Sequence, residues 1–416
     1  MRRGLRTPIA RPSGALLWLP LLAVAIGLAA PMLAASAPIA LDPGFGSGGV
    51  VSAGTAIPDY REAAALAIAP NDEILVAGES SSPSGGAAVV RYRPDGALDP
   101  AFSGGAGYLH LPGVGGIDAL AVDEGGDALL LSQRTTITRI TSSGEIDESF
   151  GDRGTVRIPQ LDPRFASLHF WSLAVLPDDS ILAAGIRFGS PRMVVVRLLP
   201  TGGLDTSFGE GGLVTLGFGR ARQSGAFQMA VQPDGKIVLG GYADAAPALA
   251  RLLPDGAPDS SFGHNGKVIA PRWRPGKATG LATLPGGGIL LAGTGRALDD
   301  SGVGILLLRY GRQGRLDPGF GSAKSPVGPT GRSAEPIAVL PAGRRILAVT
   351  RGRGPAIHAY RPDGRPDRSL AQVPGVPRNR FFGTTAALQH GKLVLAWTPK
   401  HRPGAGAIQL ERFAVR

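Results

Sequence analysis

Cysteine is absent from the 416 residues. That excludes disulfides, thiolate metal sites, thiol nucleophiles and a lipid anchor through an N-terminal Cys. A fold without cross-links has to rest on its buried core. Aromatic residues make up only 6% of the chain, and Trp occurs four times, at 18, 171, 273 and 397. So few rings argue against the stacked platform of a carbohydrate or nucleic-acid reader, and no nucleic-acid partner is expected. Neither a Gly-x-Ser-x-Gly elbow nor a Gly-x-x-x-x-Gly-Lys phosphate loop is present, so no catalytic residue and no cofactor is predicted. The six His, at 110, 169, 264, 358, 390 and 401, have no metal-ligand spacing, and no metal site is expected. Pairs such as Asp178-Asp179 lack the alternating oxygens of a calcium loop and read as hairpin turns.

What the chain has instead is 63 Gly and 36 Pro, about a quarter of its residues. Such a content marks a disordered chain unless the glycines have a period. They have one, so we read them as the turns of an all-β fold. The first forty residues stand apart. Arg2, Arg3, Arg6 and Arg11 precede the uncharged GALLWLPLLAVAIGLAA, and Ala35-Ser36-Ala37 offers small residues for a signal peptidase. Residues 1–37 are therefore predicted to be a signal peptide, and the protein to be exported to the periplasm, outer surface or medium. An uncleaved anchor is the alternative, against which Pro20 and Pro31 interrupt the apolar run. After cleavage no transmembrane segment is expected.

Three sub-motifs alternate along residues 38–416. A small-residue run ends in a turn (LAVLPDDS, MAVQPDGK). A buried run follows at once (SILAAG, KIVLGG), and then an alternating strand (MVVVRLLPTG, PALARLLPDG). Apolar runs bounded by Pro-Asp-Gly or Gly-Gly read as strands joined by tight hairpins. Each third strand leads into Leu-Asp-x-x-Phe-Gly-x-x-Gly and a short fourth strand. The motif aromatics Phe45, Phe102, Phe150, Phe208, Phe262, Phe320 and the seventh position, Leu370, lie about 48 to 58 residues apart. Four short strands in such a unit make one blade of a β-propeller. The chain begins with an orphan fourth strand near residues 49–53 and ends just after a third strand. The prediction is a single domain over 38–416, an all-β, seven-bladed β-propeller of four-stranded antiparallel blades, the last blade closed by the N-terminal strand. An open solenoid is the alternative.

Within the motif, Asp42, Asp99, Asp147, Asp205, Asp259, Asp317 and Asp367 can accept a backbone N–H two residues on. The Phe should plug the gap between neighbouring blades, and the Gly after it suits a bend with positive φ. Arg91, Arg139, Arg197, Arg251 and Arg309 stand eight residues before the Asp, Arg412 takes the place at the chain end, and Ala359 breaks the rule. A ring of cations around a channel is one reading. A structural Arg bonding the Asp or turn carbonyls is the reading we prefer. VQPDGKIVLGG and RLLPDGAPDSSFGHNGKV resemble the delta-sixty repeat of Gram-negative surface and secreted proteins, over nearly all of residues 41–416. The resemblance implies a propeller-like fold and export, and it brings no catalytic residue with it. The copies decay late: Ser322-Ala323-Lys324 replaces a Gly-bearing turn, and Arg368-Ser369-Leu370-Ala371 loses both Phe and Gly.

Charge is uneven along the chain. Residues 38–300 hold 20 Lys and Arg against 27 Asp and Glu, whereas residues 301–416 hold 19 against 5. Arg344, Arg345, Arg361, Arg365 and Arg368 fall at predicted turns, where they could meet an anionic surface, a polysaccharide or an acidic partner protein. Against that stands the bland reading of a solvated basic surface, since only six of the 43 basic residues are Lys. The expected function is a monomeric, exported, non-catalytic binding or surface scaffold. The alternative is a periplasmic hydrolase or lyase with polar residues at the central channel. For that, only Asp118 and Glu335 stand out at the starts of first strands.

Overall fold

Seven antiparallel sheets follow one another around a closed ring. The computed structural model describes residues 39–52, 60–80, 82, 85–189, 191–270, 273–297, 303–321, 335–351, 356–367, 381–399 and 408–415. Blade 1 contains Tyr60–Ile68, Ile74–Ser80, Ala87–Tyr92 and Tyr108–Leu111. Blade 2 is built from Ile117–Val122, Ala128–Ser132, Thr136–Ile140 and Thr155–Arg157. In blade 3 the strands are Leu168–Val175, Ile181–Arg187, Met193–Leu198 and Leu213–Leu216, and in blade 4 Ser224–Val231, Ile237–Ala243, Ala246–Leu252 and Lys267–Ile269. Blade 5 has Trp273–Thr283, Ile289–Ala297 and Val303–Tyr310, and blade 6 Glu335–Ala342, Arg345–Arg351 and Ala356–Tyr360. Their fourth strands would fall in 322–334 and 368–380, outside the described residues, as do the decayed motif copies and the predicted signal peptide. No helix among the described residues is long and apolar enough to cross a membrane.

Blade 7 joins the two chain ends. Phe381–Gln389, Lys392–Pro399 and Gln409–Ala414 are completed by Val50–Ser52, with Val50 opposite Glu411. A second N-terminal piece, Ala40–Leu41, pairs with the far end of the same strand, Ala40 opposite Ala414. Each blade's first strand packs against the next, and Phe381–Gln389 packs against Tyr60–Ile68, so the inner ring is continuous. Closure pairs the edge of Gln409–Ala414 and covers the two blade faces that an open array would expose.

The hydrophobic core is divided among seven seams between blades. Phe45, Phe102, Phe150, Phe208, Phe262 and Phe320 are all buried, one in each of six seams. Removing such a ring from water contributes roughly 1.5–3 kcal/mol. The seventh seam, between blades 6 and 7, takes Ile39, Trp397 and Phe413.

One buried carboxylate sits in the closing blade. Glu411 is 2% exposed and its Oε2 has no hydrogen-bond partner. Burial pushes it up to about 7, with the Trp397 side chain pulling it part of the way back. A carboxylate raised in the fold stabilises it below the unfolded value, and that stability is lost as pH rises toward 7. Glu411→Gln should therefore melt higher than the parent at pH 8, by up to a few kcal/mol, with little difference at pH 4. Parallel pH profiles of the two melting curves would contradict this.

Candidate functional site

Strand polarity sorts the loops onto two faces of the ring. The turns between first and second strands, and the motif turns after third strands, share one face. The starts of the first strands and the ends of the second strands share the other.

The motif face is mechanical. Arg251 donates from Nε to Asp259 Oδ2 at 2.8 Å and from Nη1 to the Arg312 carbonyl of the next blade at 2.6 Å, with its guanidinium 4.5 Å from the Phe262 ring centroid. Asp259 Oδ1 accepts the Ser261 N–H at 3.0 Å, the turn expected from its spacing. Burial pushes the Asp259 carboxyl up, but Ser261 and Arg251 outweigh that and hold it below its ordinary value. The same clasp recurs, with Arg91 reaching Ser142 of the next blade, Arg139 reaching Pro200, Arg197 reaching Pro254, Arg309 reaching Pro362 and Arg412 reaching Pro94. Below each guanidinium, the N–H after the Phe donates to the neighbouring turn, as Gly209 does to Asp255 at 2.9 Å. Gly209 has φ +56, and Gly256 has φ +90 at the turn pressed against Phe208; an added Cβ there would meet Phe208 at 2.9 Å. The repeated arginines are thus structural and do not ring a channel.

Blade 6 corrects one expectation. Arg345, predicted at a solvent-facing turn, is 3% exposed, and its Nε donates to Asp367 Oδ2 at 3.2 Å. Ala359 leaves that Asp without a third-strand Arg, and Arg345 supplies the cation from the start of the second strand. Lys392, at the same place in blade 7, likewise bonds Asp42 at 2.8 Å. Arg344, Arg361 and Arg365 are exposed on the motif face of blade 6, Arg365 lying 3.8 Å from Asp363, whereas Arg368 is outside the described residues.

The opposite face is where the copies differ. Every first strand bulges, at Ala64, Asp118, Trp171, Phe227, Thr279 and Ile337 at one shared register and at Gly383 one residue nearer the strand start; Tyr60–Ile68 and Trp273–Thr283 have a second irregularity near their starts. A bulge re-aims one side chain out of the ladder. It also brings the backbone close to the second strand: a Cβ on Gly185, Gly241 or Gly293 would collide with the carbonyl of His169, Gly225 or Lys277. At the six positions that share a register the backbone repeats and the side chains do not.

Blades 2 to 5 assemble a track there. The Arg134 guanidinium lies 5.4 Å from the Trp171 ring, and Trp171 meets Phe227 edge-on at 5.5 Å. Phe227 stacks on Tyr242 at 5.5 Å, and the Lys277 ammonium lies 5.6 and 5.7 Å from those two rings. The three rings are half-buried; Arg134 and Lys277 are exposed. Asp118 accepts the Arg134 N–H at 2.6 Å. Burial raises its pKa, while that N–H and the Arg134 charge pull it back only in part. His169 packs against exposed Phe188 at 4.6 Å, and burial, helped by the Arg134 charge, lowers its pKa and favours the neutral ring. Glu335 pairs instead with exposed Arg351 at 3.0 Å. Among the described residues no three of His, Asp and Glu gather as a metal site.

Sequence reasoning found Asp118 here but missed Arg134, His169, Trp171, Phe227, Tyr242 and Lys277. The signal was present as the column of the repeat whose first six copies read Ala, Asp, Trp, Phe, Thr and Ile. Counting Trp alone discounted the platform, because two of its three rings come from Phe and Tyr.

Comparison with known proteins agrees with the fold. Three stretches of this chain match a β-propeller family. Residues 69–102, 176–208 and 232–262 match the model described as a domain of unknown function (DUF5122) beta-propeller. Those matches fall on blades 1, 3 and 4, and each ends on a motif Phe. No curated protein matches the sequence. Among solved structures, the polysaccharide lyase Uly1 is similar at 11% identity over 85% of this chain and 90% of that one, with a TM-score of 0.52. An aldose sugar dehydrogenase from Streptomyces coelicolor, in its PQQ-bound form, is 18% identical over 72% and 95% of the two chains, with a TM-score of 0.44. A gluconolactonase from Xanthomonas campestris is 12% identical over 91% and 98%, with a TM-score of 0.41. At these identities the likeness concerns architecture alone.

Proposed function

We propose that this protein is an exported, non-catalytic propeller of the delta-sixty repeat type, a binding scaffold that holds its ligand at the strand-start mouth. One observation carries the reading: six bulges at one register bear six different side chains, and Trp171 and Phe227 place aromatic rings in contact across a seam. A scaffold whose repeated bulges present different side chains has the form of a recognition surface. Export rests on the basic and apolar character of residues 1–37. The exposed Arg344, Arg361 and Arg365 form a proposed second contact, with an anionic surface, on the opposite face.

The enzyme reading draws on Asp118 and His169, whose pKa values are displaced in opposite directions beside Arg134. Both groups are engaged, however, Asp118 by Arg134 and His169 by Phe188. The purified protein, immobilised and exposed to solubilised cell-envelope material, should retain a component that a Trp171→Ala, Phe227→Ala variant does not. Recovery of that component unaltered supports the scaffold. Its release in cleaved or chemically changed form would establish the enzyme instead.

A further inference from the structure

We infer that the track over blades 2 to 5 binds an acidic polysaccharide through uronate units, an inference that rests on the binding role proposed above. The three rings run in unbroken contact, Trp171 to Phe227 to Tyr242, so the mouth offers a half-exposed apolar pavement. Such a surface suits a ligand with flat, aliphatic C–H faces. Both ends of the pavement carry a cation. Arg134 lies over Trp171, and Lys277 lies over Phe227 and Tyr242.

Contact with a ring face leaves most of a cation's demand unmet at an exposed site. Among the described residues no carboxylate stands within 4.0 Å of Lys277, so its ammonium donors are directed at solvent. Arg134 shares Asp118 through Nε at 3.7 Å, which leaves its remaining donors for a second acceptor. A chain of uronic acids complements the track, with flat sugar faces for the rings and carboxylates for the cations at their two ends.

Two other anionic ligands fit less well. A nucleobase wants an open slot between rings, whereas Phe227 and Tyr242 are already stacked on each other at an interplanar angle of 27°. A bilayer would need exposed aliphatic side chains beside the cations, and the bulge neighbours of the track are Asp118 and Thr279.

Calorimetric titration with polygalacturonate, with neutral dextran as the companion probe, tests the inference on the purified protein. Polygalacturonate should bind and dextran should not. Trp171→Ala and Lys277→Gln should each weaken binding by about tenfold or more while melting like the parent. The triple variant Arg344→Glu, Arg361→Glu, Arg365→Glu removes the anion contact proposed on the other face and should leave in place the binding that depends on Trp171 and Lys277. Absence of polygalacturonate binding overturns the inference, and so does binding that survives both mouth substitutions or is lost only in the triple variant. Equal binding of dextran, abolished by Trp171→Ala, would overturn the acidic class while leaving the mouth a binding site, so the two levels of the proposal fail separately.

Discussion

Deleting residues 39–52 is expected to destabilise the whole ring, well beyond the loss of two short strands. The segment fills two seams at once, Ile39 between blades 6 and 7 and Phe45 between blades 7 and 1. Its Asp42 is the partner of Arg412 at 2.7 Å and of Lys392 at 2.8 Å. Without Asp42, the buried Arg412 guanidinium keeps only the Pro94 and Gln389 oxygens, and an uncompensated buried charge costs about 3–5 kcal/mol. Loss of the Phe45 ring adds about 3–5 kcal/mol more. Together these approach the total stability of about 5–15 kcal/mol typical of a folded domain. The strand Gln409–Ala414 would also become an open edge, prone to pair with a second copy. Calorimetry and size-exclusion chromatography should report a much lower melting temperature and association. A deleted protein that melts like the parent as a monomer would rule out closure through the N-terminus.

The second large effect is expected at the clasps, and it should scale with burial rather than with sequence. Arg251 and Asp259 are each 5% exposed in their side chains, whereas Arg309 and Asp317 in the next blade are 35% and 32% exposed. Arg251→Ala strands a buried carboxylate and should cost about 3–5 kcal/mol. Arg309→Ala, at a solvent-screened pair of the same geometry, should cost about 1 kcal/mol. Arg251→Met with Asp259→Asn should recover part of the loss, because the Asn still accepts the Ser261 N–H and no lone charge remains. Chemical denaturation of the three variants settles the ranking. Equal costs for Arg251→Ala and Arg309→Ala would mean that the clasp contributes through packing on the Phe alone.

Blade number, strand order and the closing strand near residues 49–53 were all legible in the sequence, because each follows from counting copies of one pattern. The Asp turns and the glycine after five of the six motif Phe were legible for the same reason, since they depend on residues two or four positions apart. Arg345 was not. Its role depends on the gap left by Ala359 and on the register between two strands, which no local pattern records. Ile39 and the pairing of Ala40–Leu41 escaped for a similar reason, as their partners lie at the other end of the chain. The aromatic track needs contacts from one blade to the next, so contacting members such as Trp171 and Phe227 come from separate copies and belong to no shared motif. Its only trace in the sequence is disagreement among otherwise similar copies.

Asp42 and Arg412 are separated by 370 residues, and their bond belongs to the last seam. Contacts so distant along the chain form slowly, since loop closure has to precede any gain from them. A chain made from its N-terminus presents residues 39–52 before the rest of the ring, and they find their partners last. Until Arg412 arrives, Phe45 and Asp42 lack the blade 7 side of their seam, and each completed blade offers its face to the next. The ring is therefore assembled in order but locked only once, at the moment the final strand appears.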